Sequence, residues 1–332
     1  MDTKLYLEII MHQRIALSGF SFSLMLVLLA GCGGGDTGTT TASRLDLGIT
    51  DAPVDGADAV WVEFSAIVLQ PVDGNRITIP LEDANGNPVT KRINLLDLQG
   101  GTRDMLLENQ ELPSGTYSWM RLMANAQKDG VLDSYITIAG QDFELNAPGS
   151  QNTGIKINTP FEITAGDGND LTIDFDLRKS VHQPKGQHHL GTPVYWLRPT
   201  LRLMKTATTG TISGTVDPVV FAGEACDGNT VGYYAVYVFS GAGVTPIDVD
   251  VNDLAINNPV TTAAISNDGN FTYTAAYLNE GTYTVAATCA ADQDDPELDN
   301  QPGNPQANPV VTFVGTADVN VTAGAETLHP IL

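Results

Sequence analysis

Five carboxylates fall within eight residues near the end of the chain: Asp292, Asp294, Asp295, Glu297 and Asp299. Like charges this close repel one another, and a hard divalent cation with oxygen ligands relieves that repulsion. The run is not an EF-hand, because its sixth position is Glu297 where that loop requires Gly. The acidic run therefore predicts a calcium site, and a solvated acidic loop is the alternative.

Further candidates for a catalytic or metal-binding role are the aspartates around Pro53 and the histidines of a polar segment. Asp51 and Asp55 could serve as ligands or as a base, but an Asp two residues before Pro typically bonds its own backbone to start a turn. His182, His188 and His189 could hold a metal, yet Lys185 adds a positive charge and no nearby carboxylate or thiol completes a ligand set. We therefore interpret the aspartates as turn residues and the histidines as solvated.

A lipidation signal is indicated at Cys32. A basic segment precedes an uncharged apolar stretch over 15–29, and two small residues then stand directly before the cysteine. This is the layout of a secretory signal, and the stretch is short for a membrane-spanning helix, which needs roughly 20 residues. The Leu-Ala-Gly-Cys segment resembles the bacterial lipobox, whose cysteine is diacylated and becomes the new N-terminus. That resemblance implies a signal peptide over 1–31.

The segment after the signal predicts where the protein resides. Residues 32–43 are rich in Gly and Thr without an apolar face, as in a flexible tether. Gly33 stands where an Asp would signal inner-membrane retention, so the resemblance implies a lipid anchor in the outer membrane, facing the periplasm or the cell surface. The start of translation stays open between Met1 and Met11, because residues 1–10 carry acids that fit poorly ahead of a signal.

The two remaining cysteines, Cys226 and Cys289, predict a disulfide. Both lie after the tether, and exported domains rarely leave thiols unpaired. Closing a loop of this size stabilises by about 4 kcal/mol in the chain-entropy model. The alternative is two buried thiols that never meet, because a bridge needs Cα atoms within about 7 Å of each other.

Charge divides the chain into two domains and excludes one class of partner. The net charge is −23, so phosphate backbones are repelled and nucleic acid is not an expected partner. All 16 Lys and Arg lie at or before Lys205, whereas the remainder holds 15 Asp and Glu. We therefore predict domains over 44–205 and 207–332.

Alternation of apolar and polar residues indicates an all-β first domain. Leu45, Leu47 and Ile49 alternate with their neighbours, and a strand near the middle places Tyr117, Trp119, Arg121 and Met123 on one face. Only Leu95–Asn109 could hold a helix. Many short strands separated by Gly-containing turns predict a β-sandwich or an open barrel.

Several separated motifs of this domain carry a family resemblance. They are LGITDAPVD (47–55), LPSGTY (112–117) and the closing segment from Arg178 to Arg202. Together they resemble the domain-of-unknown-function family 4382, which consists of bacterial lipoproteins without an established activity. The resemblance implies a lipoprotein domain and leaves its function open.

The second domain shows a similar β pattern. Strand-forming runs cover 210–216, 234–239, 281–287 and 311–314, and 267–270 is a hairpin-type turn. The G-x-I-x-G-x-V start and the E-G-T-Y-T-V strand resemble the carboxypeptidase regulatory-like, transthyretin-like domains. That resemblance implies a β-sandwich that serves structure or display without catalytic residues. The whole exported part is thus predicted to be two immunoglobulin- or transthyretin-like sandwiches.

These observations predict an outer-membrane lipoprotein with a binding, adhesive or envelope-structural role. No G-x-S-x-G, H-E-x-x-H or phosphate-binding glycine loop occurs, so no enzymatic activity is expected. The expected partners are the membrane, through the lipid, and an envelope protein or glycan. Two alternatives stay open: an envelope enzyme or enzyme subunit that uses two carboxylates on polysaccharide, and a calcium-dependent binding module.

Overall fold

The computed structural model describes residues 42–182, 195–222, 233–251, 257–297 and 311–332. The first domain contains a 3₁₀ helix at Leu95–Leu98, a short helix α1 at Leu177–Ser180 and fourteen described strands: β1 Ala42–Ala52, β2 Ala59–Pro71, β3 Ile77–Pro80, β4 Lys91–Asn94, β5 Asp104–Pro113, β6 Gly115–Ala124, β7 Tyr135–Ile138, β8 Gln141–Asn146, β9 Ile155–Ile157, β10 Phe161–Ile163, β11 Gly166–Asp176, β12 Val181–His182, β13 Tyr195–Leu197 and β14 Leu201–Lys205.

The second domain follows a 3₁₀ turn at Thr206–Thr208. Its described strands are β15 Thr209–Thr215, β16 Ala235–Ser240, β17 Thr261–Ala264, β18 Thr272–Asn279, β19 Gly281–Thr288, β20 Val314–Val321 and β21 Glu326–Leu328. Two further 3₁₀ turns lie at Pro218–Phe221 and Ala291–Gln293. The all-β prediction is confirmed.

Each domain is a sandwich of two sheets. In the first domain, the order β14-β11-β1-β5 forms one layer, and β10-β6-β2-β7-β8-β13-β12 forms the other, with β3, β4 and β9 attached to β2 and β6. In the second domain, β18-β15-β21 lies opposite β17-β16-β19-β20. Thr40–Leu332 is one compact unit, so the two sandwiches pack against each other.

The alternation read from the sequence builds the core of the first domain. Leu45, Leu47 and Ile49 of β1 are fully buried in one cluster with Val60 and Phe64 of β2, which belongs to the opposite sheet. Burial of a Val, Leu, Ile or Phe side chain is worth roughly 1.5–3 kcal/mol, so this layer of contacts holds the two sheets together.

A β-bulge changes the face to which one predicted residue belongs. In the β2–β6 pair, Gln70 lies opposite Trp119, whereas Pro71 lies opposite Tyr117, so Ser118 is an extra residue. The extra residue reverses the alternation. Trp119 and Arg121 therefore stay on the outer face as predicted, whereas Tyr117 is in the core.

In each domain, a tyrosine forms a hydrogen bond at the point where the chain passes from one sheet to the other. The Tyr117 hydroxyl donates to the carbonyl of Pro113 at 2.7 Å, where the chain leaves β5 and enters β6 in the other layer. The Tyr283 hydroxyl donates in the same way to Asn279 at 2.8 Å, between β18 and β19. Both tyrosines end a Gly-Thr-Tyr segment, and the bond to the fourth preceding residue resembles the tyrosine corner of immunoglobulin-like sandwiches.

Two predicted elements differ from the structure. Of the proposed helix over Leu95–Asn109, only the 3₁₀ helix Leu95–Leu98 forms, because β5 begins at Asp104 and pairs with β1. The proposed strand over 311–314 begins only at Val314, where pairing with β19 starts. Within the described ranges, no helix is long and apolar enough to cross a membrane.

Candidate functional site

Arg178 of helix α1 fixes the junction between the two domains. The helix is one turn long, and Asp176 caps its start by accepting the Lys179 amide. The turn directs Arg178 into the second domain, where the side chain is only 3% exposed. Its Nη1 lies 2.5 Å from Asp55 Oδ2 and donates to the Ala291 carbonyl at 2.8 Å. Its Nε donates to Thr262 Oγ1 at 3.2 Å, so one side chain binds elements of both domains.

A buried tyrosine and aspartate complete this network. The Arg178 Cζ lies 5.4 Å from the Tyr237 ring centroid, in a cation–π contact. The Tyr237 hydroxyl donates to Asp294 Oδ2 at 2.6 Å, and the Val249 amide also donates to that carboxylate. Burial raises the pKa of Asp294 to about 6, against the opposing charge of Arg178. Burial alone would lower the pKa of Arg178, but Tyr237 and the nearby carboxylates raise it overall.

Two further cations of the first domain reach the acidic second domain. Lys179 Nζ lies 2.7 Å from Asp176 and donates to the carbonyl of Pro259 at 2.6 Å. Arg198 Nη1 lies 2.6 Å from Glu297 Oε1. The second domain has no Lys or Arg of its own. The first domain therefore neutralises part of the negative charge for which the sequence predicted a bound calcium ion.

A cleft of about 300 Å³ opens at this junction. It lies between the ends of β1 and β11 on one side and β17 and β18 on the other. The Tyr277 hydroxyl donates to the carbonyl of Gly101 at 2.9 Å across one side. Residues that line the cleft are mostly polar and include Thr50, Asp51, Gln99, Asp174, Thr261, Ser266, Thr272, Tyr273 and Thr274.

Asp51 is the chemically unusual group of this cleft. The side chain is 7% exposed, and its Oδ1 accepts the Leu177 amide at 3.3 Å. Its buried Oδ2 has no hydrogen-bond partner among the described residues. Burial, followed by the charges of Asp174 and Asp176, raises the pKa of Asp51 well above its ordinary value. A buried polar atom without a partner costs about 1–3 kcal/mol.

Asp174 on β11 is the second carboxylate of the cleft. Its Oδ2 accepts from Arg202 Nε at 2.9 Å and also from Nη2 of the same guanidinium. Burial raises the pKa of Asp174, although Arg202 opposes this shift. No Lys, Arg or His is among the described residues that line the cleft. The cleft therefore offers acceptors to ligand hydroxyl groups and lacks a cation that would attract an anion.

Asp51 and Asp55 do more than begin a turn. Asp51 was interpreted as a turn residue, and its carboxylate does meet the Ala52 backbone, but it also lines the cleft. Asp55 is paired with Arg178. His182 was interpreted as a solvated loop residue, whereas it is buried in β12 with Nδ1 3.6 Å from Glu297. Its companions His188 and His189 lie outside the described residues. These roles depend on partners that lie far along the chain, such as Arg178 for Asp55 and Glu297 for His182, which strand patterns do not reveal.

The predicted calcium ligands have separate surroundings. Asp294 points into the core, Glu297 pairs with Arg198, and Asp295 accepts the Glu297 amide at 3.0 Å. Asp292 lies in the 3₁₀ turn Ala291–Gln293. Within the described ranges, no group of three or more His, Cys, Asp or Glu is arranged to hold a metal ion. Asp299 lies outside those ranges, so the calcium site stays a prediction.

The predicted disulfide and lipid site also depend on residues beyond the described part. Cys289 lies just after β19 and is 1% exposed, within the core of the second domain. Cys226 and Cys32 lie outside the described residues. The pairing of Cys226 with Cys289 and the acylation of Cys32 therefore remain predictions.

Comparison with known proteins identifies the first domain. Residues 42–199 match the family model "Domain of unknown function (DUF4382)". The first domain is a DUF4382 domain. This agrees with the resemblance of the LGITDAPVD and LPSGTY segments, and it places the Arg178 helix and Asp51 inside the DUF4382 domain. No curated protein is significantly similar to the chain.

Solved structures similar to this chain include two bacterial pilins and the Bacillus anthracis TIE protein. GBS52, the minor pilin of Streptococcus agalactiae, is 12% identical, with 86% of this chain and 94% of that chain covered at a TM-score of 0.18. BcpA, the major pilin subunit of Bacillus cereus, is 12% identical, with 87% and 98% covered at a TM-score of 0.18. The Bacillus anthracis TIE protein is 12% identical at a TM-score of 0.19. The match covers 87% of this chain but only 34% of that protein, so this chain spans about a third of its length.

Proposed function

We propose that the chain is an extracytoplasmic binding protein, anchored to the outer membrane through lipid on Cys32, whose junction cleft binds a short neutral glycan segment. The observation that carries the proposal is the buried Asp51 Oδ2, which lacks a partner among the described residues on the wall of a cleft of about 300 Å³. The carboxypeptidase regulatory-like character of the second domain is part of the same proposal.

The composition of the cleft favours a neutral, hydroxyl-rich ligand. Two carboxylates and several Thr and Ser hydroxyls line it without a described cation, so an anionic ligand would be repelled. Each sugar hydroxyl both donates and accepts hydrogen bonds, so it fits the carboxyl oxygens and the Thr and Ser hydroxyls of the cleft alike. Ligand pockets usually begin at about 300 Å³, so the cleft is large enough for one or two sugar units.

The junction network supports a cleft that is formed before the ligand arrives. Arg178 is held by Asp55 on the first domain and by Thr262 and Ala291 on the second. Thr262 also lines the cleft, so the contact that joins the domains also positions a wall of the site. A pre-organised site binds more tightly because less conformational freedom is lost on binding.

Calorimetric titration with a panel of neutral oligosaccharides tests the proposal. Asp51→Asn retains the shape and an acceptor for the Leu177 amide but places an amide nitrogen, which only donates, where Oδ2 stands, so we expect binding to weaken about tenfold. Glu108→Gln is the matched control, because Glu108 is an exposed acid on β5 outside the cleft. Equal affinities of the two variants, or no binding of any oligosaccharide by the wild type, would contradict the proposal.

One observation favours hydrolysis as a second candidate function. Glycosidases use one carboxyl group with a raised pKa beside a second carboxylate, and Asp51 and Asp174 share the cleft. Asp174 is occupied by Arg202, which favours binding over catalysis. Incubation of the wild type with each bound oligosaccharide decides between the two. Release of reducing ends that is lost in Asp51→Asn would establish an enzyme.

Calcium-dependent binding is the remaining alternative for the run from Asp292 to Asp299. Its test is the thermal midpoint of the full chain in millimolar calcium, in magnesium and in chelator at matched ionic strength. A calcium-specific rise that Asp299→Asn abolishes would support the site, since a ligand of the folded state raises the midpoint. An unchanged midpoint would leave a solvated loop.

A further inference from the structure

A cluster of positive charge surrounds one tryptophan on the outer face of the first domain. The guanidinium carbons of Arg76 and Arg121 lie 5.2 and 4.6 Å from the Trp119 ring centroid. The Lys156 Nζ lies 5.4 Å from the same centroid. These four residues, which we call the Trp119 patch, come from β6, β9 and the residue before β3.

The charges of the Trp119 patch are not paired with carboxylates within the described ranges. No ion pair joins Arg76, Arg121 or Lys156 to a carboxylate in the described part of the chain. The chain contains 39 Asp and Glu against 16 Lys and Arg, so acids are abundant elsewhere. Three cations near one ring repel one another, and an anionic ligand would remove that repulsion.

A depression of about 300 Å³ next to two of the cations, Arg76 and Arg121, provides space for part of such a ligand. Arg76 and Arg121 line it together with Ser65, Thr78, Asn152 and Thr153. Arg121 Nη1 donates to the Thr153 carbonyl at 2.6 Å, which fixes the guanidinium, while its buried Nε has no described partner. A planar, oriented guanidinium binds carboxylate or sulfate oxygens in a bidentate manner.

We infer that the Trp119 patch binds a linear acidic polysaccharide, with anionic groups on Arg76, Arg121 and Lys156. The face of an indole attracts cations, so the Trp119 ring keeps these three charges close together. An anionic membrane is a poorer occupant, because the net charge of −23 repels such a surface everywhere outside the patch. The patch contains no residue of the junction cleft and does not depend on the function proposed for it.

The full chain, purified in detergent, is titrated calorimetrically with polygalacturonate, with neutral dextran and with phosphatidylglycerol vesicles. We expect binding of polygalacturonate alone, weakening as salt rises. Arg76→Gln with Lys156→Gln should weaken it about tenfold, and Trp119→Phe several-fold. Arg198→Gln, an exposed arginine outside the patch, is the control and should bind as the wild type does.

These variants distinguish a loss of polysaccharide binding from a loss of folding. The side chains of Arg76 and Lys156 make no hydrogen bond in the described part of the chain, so their replacement leaves the β2–β6 pairing intact. Polygalacturonate binding that survives in the double variant would overturn the inference. Equal binding of dextran, stronger binding of the vesicles, or no binding of any probe would also overturn it.

Discussion

Arg178 Nη1 lies 2.5 Å from Asp55 Oδ2 in a region where both side chains are largely removed from solvent. The same nitrogen donates to Ala291, a residue of the second domain. A charge pair at this depth is costly to desolvate, so removal of one partner leaves the other charge buried without compensation. The pair therefore stabilises the junction and helps to hold the two domains together.

Arg178→Met should destabilise the protein by about 3–5 kcal/mol, because Asp55 would remain buried without its cation. Denaturant titration measures the loss, and the separated domains should give two unfolding transitions. Combination with Asp55→Asn should restore part of the stability. Arg44→Met is the control, since the exposed Arg44–Glu111 pair is worth less than about 1 kcal/mol. A loss no larger than that of the control would contradict the role given to Arg178.

Stability should fall as pH rises from 4 to 7, and Asp294→Asn should reduce that fall. The pKa of Asp294 is raised from 3.8 to about 6 by burial, so the folded state binds more protons than the unfolded state in this window. The group therefore costs up to about 3 kcal/mol above pH 6 and nothing below pH 4. Denaturant unfolding at several pH values measures the slope. An unchanged slope in the variant, or the same change in Glu108→Gln, would contradict the assignment.

Cys226 and Cys289 should resist alkylation until the protein is reduced. Cys289 is enclosed in the second core, where its thiol would be shielded even without a bridge, so the assay must use denatured protein. Mass spectrometry after alkylation in denaturant should find neither cysteine modified without reductant and both modified with it. The bridge should add about 4 kcal/mol to stability. Two modified thiols in unreduced, denatured protein would refute the bridge.

Cys32→Ser should release the protein from the membrane fraction. One lipidated cysteine carries the whole attachment in this prediction, and two or more acyl chains are needed for firm anchoring. Cell fractionation followed by detection of the chain measures the distribution. Cys226→Ser serves as the control because it removes a cysteine without touching the lipid site. Retention of the Cys32 variant in the membrane would show that another segment attaches the chain.

Strand patterns were sufficient to predict the sandwiches but not the residues between them. The alternation of Leu45, Leu47 and Ile49 reports burial against the opposite sheet of one domain, and burial confirms it. Asp174 alternates with apolar neighbours in the same way, which predicts exposure, yet the second domain covers it. The polar face of β11 is thus buried by a contact whose partner lies far along the chain.

The Trp119 face was predictable in part. The spacing of Trp119 and Arg121 places them on one strand face, as the structure confirms. Tyr117 lies two positions before Trp119 and would share its face in a regular strand. The bulge at Ser118 reverses the alternation, so Tyr117 lies on the other face. The clustering of Arg76 and Lys156 on the same ring depends on how β3 and β9 pair with their neighbours, which local periodicity does not determine.

The position of β1 governs how the protein responds to mechanical force. β1 begins at Ala42, the first described residue, and lies inside its sheet with β11 on one side and β5 on the other. Tension applied through the preceding segment acts along β1, so the hydrogen bonds to both neighbours are sheared together and cannot open one at a time. The central strand thus resists tension applied through its N-terminal end, whereas an edge strand would peel away.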